Sequence, residues 1–480
     1  MARTRAVLGT FLLCASFAAP AASQEDYENL FDEIETEVEA TDEGGAADVP
    51  PTALRKLRDG FEGTARLRGI SHFYDNNAEG KDTRHHFLEA GIDFKLKLAE
   101  RGNLFDANGW LEGATGPDMM GRVITPPRDT ERARNWLEVA ELYYTREFPK
   151  ADVYLGRKKV PMGLCTLYSP SDRINPQDMN DPTAPKSMGV WQAGADAQVG
   201  RVSVSLIYMP VFQPSKYPSE RSRWAGQSDP GDPSAVNFNY ITSQGITMTD
   251  RYPKPAIGHT QVLMKAKTTL SGWDLFLAAF RGTSRQSVLR QDGPTLLLPI
   301  GPFASLSYAK EYVPLWHLSA GFSTTVKKLE VHGESLYQSG SRRRDDDFVN
   351  TTLGGTYKLD DIALKLGLDS ISCDLEYAWE DIIRRQSHPG YAQSSEKSRS
   401  GRDTWLGRLE VKPSDELSVS VAFVYDRVDG GQSQAVGARY RIRSGLVLKT
   451  SLEFYGGPSD SNLGMWRKCD RWASQLEYSF

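Results

Sequence analysis

The chain reads as all-β, a transmembrane antiparallel β-barrel of about 18 strands (16 to 18) behind a short acidic segment. Three observations carry that expectation. Segments of about ten residues alternate apolar and polar side chains. Their connections are alternately short and long. The last segment keeps Trp472, Leu476, Tyr478 and Phe480 on one face. Mean hydropathy is −0.47 and 39% of residues are hydrophobic. Such values are also those of a barrel whose strands put every second residue toward water. Past the N-terminal region no apolar run approaches the roughly 20 residues of a membrane helix.

The elements follow in chain order. Arg3 and Arg5 precede the small-residue apolar stretch of residues 6–22, and Ala19, Ala21 and Ser23 offer cleavage positions, so residues 1–23 read as a secretory signal. Phe11-Leu12-Leu13 ahead of Cys14 lacks the small residues of a lipid-attachment site. Residues 24–56 form the acidic segment, with eleven Asp or Glu and no Lys or Arg between Gln24 and Val49. Tyr27, Leu30, Phe31, Ile34 and Val38 recur there at helical spacing. A solvated periplasmic tail, a docking element for a periplasmic partner and a plug for a basic lumen all fit it. Without this segment and the two signal arginines, the formal charge of −5 becomes about +4. The barrel, residues 57–480, is therefore mildly basic.

Within the barrel, Leu88, Ala90, Ile92, Phe94, Leu96 and Leu98 alternate with Glu89, Gly91, Asp93, Lys95 and Lys97. The same period organises 417–423 and 436–443. Aromatics gather at strand ends (Tyr143, Tyr144, Trp405, Tyr425, Tyr455, Trp472), as in the girdles of a membrane barrel. Short connections at Gly200-Arg201, Ser271-Gly272, Leu359-Asp360-Asp361, Pro413-Ser414-Asp415 and Ser444-Gly445 alternate with long ones at 116–131, 213–256, 283–312 and 381–401. Leu296-Leu297-Leu298 leaves room for an extra hairpin in the third of these. The terminal Phe480 resembles the insertion signal read by the outer-membrane assembly machinery, which implies the outer membrane of a Gram-negative bacterium. Three cysteines beyond the signal exclude a disulfide scaffold. A single Cys165–Cys469 bridge stays open beside free thiols. No haem-attachment or metal-ligand spacing occurs, so no cofactor is expected.

With the apolar residues outward, Arg66, Arg68, Lys95, Lys97, Arg439, Arg441, Arg443, Lys449 and Arg471 fall on one lumen wall, because the last strand of a closed barrel pairs with the first. Glu330, Glu334, Asp374 and Glu376 fall on the far side, which predicts a transverse field across a wet pore. Half or more of these charges are expected to pair with neighbours such as Glu62, Glu89, Glu453 and Glu477. The segment after the fifth strand is rich in Pro, Asn and Asp. It either folds into the lumen, making Asp172, Arg173 and Asp178 constriction residues, or lies on the surface.

Leu137 to Tyr144, followed by Val153-Tyr154-Leu155-Gly156-Arg157-Lys158, resembles the alginate-export porin family and related large porins with Gly-Arg-Gln strands. Glu141, Gly156 and Arg157 match family positions, while Ala140 and Lys158 replace an Arg and a Gln. The run Ser169-Pro170-Ser171-Asp172-Arg173-Ile174-Asn175-Pro176-Gln177-Asp178 is similar to the Ile-Asn-Pro loop of the related porins. The resemblance covers roughly 50 residues. It implies an electropositive 18-stranded barrel that passes an acidic polysaccharide, with Glu141 and Arg157 lining the pore.

The leading functional expectation is thus a conduit for an anionic polysaccharide or other anionic solute. A general or hydrophobic-compound channel, and a sleeve around an electron-transfer partner, are the alternatives. An enzyme is not expected: His72, His317 and His332 point inward but lack a nucleophile or acid at telling spacing. Arg342-Arg343-Arg344 is neutralised by Asp345-Asp346-Asp347, so nucleic acid is not an expected partner.

Overall fold

A computed structural model of the protein describes residues 61–74, 84–115, 121–131, 133–218, 222–225, 246–254, 259–292 and 306–480. The expected signal and acidic segments, and Leu296-Leu297-Leu298, lie outside them. Eighteen strands form one sheet. They are β1 (Phe61–Tyr74), β2 (His86–Glu100), β3 (Asn103–Ala114), β4 (Leu137–Phe148), β5 (Ala151–Lys158) and β6 (Val190–Val199). Next come β7 (Val202–Met209), β8 (Gln261–Leu270), β9 (Trp273–Thr283), β10 (Pro314–Val326), β11 (Leu329–Gly340) and β12 (Asp347–Lys358). The sheet ends with β13 (Ser370–Arg384), β14 (Asp403–Ser414), β15 (Leu417–Asp426), β16 (Gln432–Arg443), β17 (Leu446–Gly456) and β18 (Arg471–Ser479).

Each strand runs antiparallel to the next, and β1 pairs with β18 from Arg66↔Ser479 to Tyr74↔Arg471, which closes the barrel and removes its sheet edges. The Phe480 N–H donates to the Ala65 carbonyl at 3.1 Å and the Ala65 N–H to the Phe480 carbonyl at 3.3 Å, extending the seam.

Alternation sorts the two faces. Leu67, Phe73, Leu88, Leu96, Val436, Tyr440, Trp472 and Leu476 are exposed on the outside, whereas Arg68, His72, Glu112, Gln192, Thr352 and Glu376 are buried within. A water-soluble barrel would invert this arrangement. Of the expected girdle residues, Tyr144, Trp405, Tyr425 and Trp472 are on the outer face, but Tyr455 is buried inside. Tyr143 also turns inward, where the Lys158 ammonium sits 4.9 Å from its ring centroid. Both follow the parity of their own strands, which an aromatic's identity does not override.

Two further departures are local. The connection expected as a short turn at Leu359-Asp360-Asp361 is a helix, α1 (Asp360–Leu366), before β13 begins at Ser370. Asp360 and Asp361 favour its positive N-terminal end and Gly367 closes it at φ +71°. Ile362, Leu364 and Leu366, spaced by two, imitate a strand. Within 283–312, Val288–Gln291 pairs with Leu306–Glu311 outside the barrel sheet, while the Leu296-Leu297-Leu298 run that suggested an extra hairpin lies outside the described residues. The pair joins Ile246–Arg251 and Tyr391–Gln393 in a separate four-stranded sheet formed by the long connections.

Candidate functional site

Residues 159–189, between β5 and β6, leave the wall and cross the barrel interior. Burial drives the path: Val160 and Ile174 pack with inward-facing Leu263, Phe276 and Phe280 in one apolar cluster. Polar anchors then fix the segment. Glu334 on β11 accepts the N–H groups of Leu164 and Cys165 and the hydroxyls of Ser169 and Ser171. Glu376 on β13 accepts the N–H groups of Thr166, Leu167 and Tyr168 at 2.7, 2.8 and 2.8 Å. Gly163, at φ +93°, makes the bend into this cradle.

The other end of the segment is tied to the opposite wall. Asp181 meets Arg471 of β18 at 2.6 Å, and Lys186 meets Glu112 of β3 at 2.6 Å. Asp178 pairs with Arg134 of the β3–β4 connection at 3.2 Å. Counted round the eighteen-stranded sheet, β3 stands eight strands from both β11 and β13, and β18 seven and five strands from them, so the loop reaches across the lumen. Burial alone would raise the Asp181 carboxyl, but Arg471 and His72 outweigh it and hold it below the usual carboxylate range. Burial, with Arg68 close by, pushes the Lys186 ammonium down despite Glu112.

Neighbouring long connections lock onto this loop through residues that the sequence did not single out. The Lys216 N–H donates to the Gln177 carbonyl at 2.8 Å and its carbonyl accepts from Met179 at 2.9 Å, while its ammonium meets Asp129 at 2.9 Å and Glu138 at 3.1 Å. Arg285 donates to the carbonyls of Ile174 and Gln213. Arg134 also lies 3.7 Å from Glu112. Each sits in a loop with no periodic pattern, and no signal short of the three-dimensional contacts marks it.

The expected lumen residues divide into two groups. Arg68, Arg157 and Arg471 are buried and engaged: Arg68 by Asp93 and Glu112, Arg471 by Asp181 and Glu453, Arg157 by Glu138 at 3.0 Å and the Gly189 carbonyl. Arg157 therefore clamps the root of the crossing loop and does not line open space. Glu141, also expected to line the pore, accepts the Asn108 side-chain amide and the Lys159 N–H, again at the loop root. The second group sits lower on the same wall, toward the short turns. Lys95 and Arg443 are exposed, and Arg66, Lys97, Arg439, Arg441 and Lys449 half-buried. Lys449 pairs with Glu477 at 2.8 Å, and Arg441 donates to the Asp415 carbonyl at 3.0 Å.

The expected acidic far wall is corrected. Glu334 and Glu376 are buried at 2% and 1% exposure beneath the loop, and Asp374 pairs with Arg408 at 2.8 Å. Backbone N–H groups and an arginine thus occupy three of the four carboxylates. Of the constriction candidates, Arg173 donates to the Pro170 carbonyl and to Tyr168, and Asp172 accepts from Asn175. Both line a cavity of about 730 Å³ together with Tyr168, Arg285, Lys310 and Trp466. Asp178 is buried in its pair with Arg134. A second cavity of about 200 Å³ is lined by Arg408, Arg439, Lys449, Arg471, Glu410 and Glu453. The bridge between Cys165 and Cys469 does not form: both are free thiols. Cys165 rides on the loop tip, whereas Cys469 packs with Trp224 and Tyr455.

No protein-family model matches the chain, and no curated protein matches it. Solved structures overlap it loosely. A mutant of the Rh. blastica porin is 11% identical, with a TM-score of 0.39, over 88% of this chain and all of that one. Pseudomonas aeruginosa OccK11 (OpdR) is 12% identical, with a TM-score of 0.47, over 88% of this chain and 96% of that one. Overlaps this loose carry no property from one protein to the other.

Proposed function

We propose that this chain is an outer-membrane channel for small solutes, with a preference for anions imposed on the short-turn side of its lumen. The observation that supports the reading most directly is a closed barrel, apolar outside and charged inside, crossed by one anchored loop. An apolar outer face of this extent suits lipid. In that setting the short turns face the periplasm and the long connections the exterior. Lys95, Arg439, Arg441 and Arg443 then form a basic wall on the periplasmic side of the loop, where a focused positive potential raises local anion concentration.

A polymer such as an acidic polysaccharide suits the site less well, because its passage requires the 159–189 segment to leave both walls. The pairing of Arg68, Arg408 and Arg471 with carboxylates favours a second reading, a weakly selective general channel. Reversal potentials in planar bilayers separate the two. Anion selectivity in the wild-type barrel, lost or inverted when Arg439, Arg441 and Arg443 are all changed to Glu, is the expected result. A wild-type channel without charge preference, unaltered by those changes, points to the general pore. A barrel that conducts nothing overturns both.

A further inference from the structure

Where the loop tip meets the far wall, Cys165, His332 and Glu376 converge, each offering a ligand atom within 4.8 Å of the others. The His332 and Glu376 side chains have 0% exposure. Cys165 borders the 730 Å³ cavity, which supplies an entry path. We propose that these three residues form a binding site for one divalent transition-metal ion of the zinc type, joining the crossing loop to the barrel wall.

Three features support a cation there. The donor set of thiolate, imidazole and carboxylate suits zinc, with the fourth position left to water from the cavity. Secondly, Glu330, Glu334 and Glu376 crowd this corner, and among the described residues no Lys or Arg forms an ion pair with any of them. Backbone N–H groups and hydroxyls solvate their charge without cancelling it. Thirdly, His332 Nε2 lies 2.9 Å from Glu376 Oε1, while buried Nδ1 has no hydrogen-bond partner and faces Glu330 Oε1 at 3.8 Å. In the neutral ring, an Nε2–H donated to Glu376 leaves the bare Nδ1 lone pair facing a carboxylate. With a metal on Nε2, the imidazole proton resides on Nδ1 and points at Glu330. That outer carboxylate orients a ligating histidine in the usual way.

The test uses the full barrel, purified in detergent, stripped with a chelator and titrated with Co²⁺ and then Zn²⁺. One ion per chain is expected, with a thiolate-to-cobalt charge-transfer band that Zn²⁺ abolishes. Cys165→Ser should remove the band, and Glu330→Gln should weaken Zn²⁺ binding by about 10–100-fold. Cys373→Ser, which leaves the cluster intact, should change neither. Heat-modifiable electrophoretic mobility verifies that each variant is a folded barrel. A measurement that needs no variant runs alongside: Zn²⁺ should protect Cys165, and not Cys373, from alkylation read by mass spectrometry. No saturable uptake by the folded wild-type barrel, or uptake unchanged in both Cys165→Ser and His332→Gln, overturns the proposal.

Discussion

In the barrel interior Glu334 gathers four hydrogen-bond donors and Glu376 three, most of them main-chain N–H groups of one eight-residue stretch. A carboxylate is suited to this because it offers about four acceptor sites, and hydrogen bonds to a charged acceptor contribute about 1.5–3 kcal/mol against about 0.5–1.5 for neutral ones. Glu334→Gln, which keeps the size and loses the charge, is expected to cost about 2–4 kcal/mol. It should also open residues 164–171 to limited proteolysis; a variant as resistant as wild type would refute the anchoring role. At the other wall, Arg471→Met strands Asp181 and Glu453, and breaking a buried pair costs about 3–5 kcal/mol. The Asp181 carboxyl is depressed in the folded state, so its contribution is complete above its unfolded value of about 3.9 and drains as pH falls through the lower folded value. The stability gap between wild type and Arg471→Met in urea should therefore be flat from about pH 7 to pH 5 and narrow only in stronger acid. A gap that closes near neutrality would assign it to another group.

At the scale of the element, the 159–189 loop behaves as an inserted wedge whose apolar side joins the inner face of β7–β10 and whose polar tip docks on β11 and β13. Its bend depends on Gly163, where an added Cβ would press on Ser169 and come within 2.8 Å of Glu334 Oε1, in a backbone region that L-residues avoid. Gly163→Ala should cost about 1–2 kcal/mol and release the tip while the strands stay paired. Faster cleavage within the loop beside unchanged heat-modifiability would show this, and equal loss of both would show that the loop and wall fold as one unit. The Pro, Asn and Asp content made an ordered turn-rich segment legible, but not its direction. The donors at 164–171 and their acceptors at 334 and 376 are some 160 to 210 positions apart in sequence, beyond any local pattern.

For the whole molecule, closure converts the last strand into the neighbour of the first, and the seam ends in the paired Phe480–Ala65 backbone. Phe480 is 66% exposed, so its side chain contributes little to packing inside the barrel. Deleting it removes two hydrogen bonds, each about 0.5–1.5 kcal/mol net, together with an outward aromatic. A lower fraction of heat-modifiable barrel on refolding into lipid vesicles is expected, and wild-type yield from the deletion variant would count against a role for the seam's end.

A strand number of 16 to 18, the alternation of short and long connections and the inward or outward sense of the alternating segments were legible in the sequence alone, because a β-strand's side-chain period of two is a local property that survives without its neighbours. The same reasoning put Arg439, Arg441 and Arg443 on one inner wall and Glu334 and Glu376 on a far one, and the sheet order brings those carboxylates to within five and three strands of the arginines. Only the tertiary structure decided what those charges do. Whether an inward arginine faces solute or a carboxylate, and whether an inward carboxylate faces water or a loop's N–H groups, depends on which distant segments enter the lumen. Arg471 and Glu376 show the point: parity put both inside, and the crossing loop took both out of contact with solute.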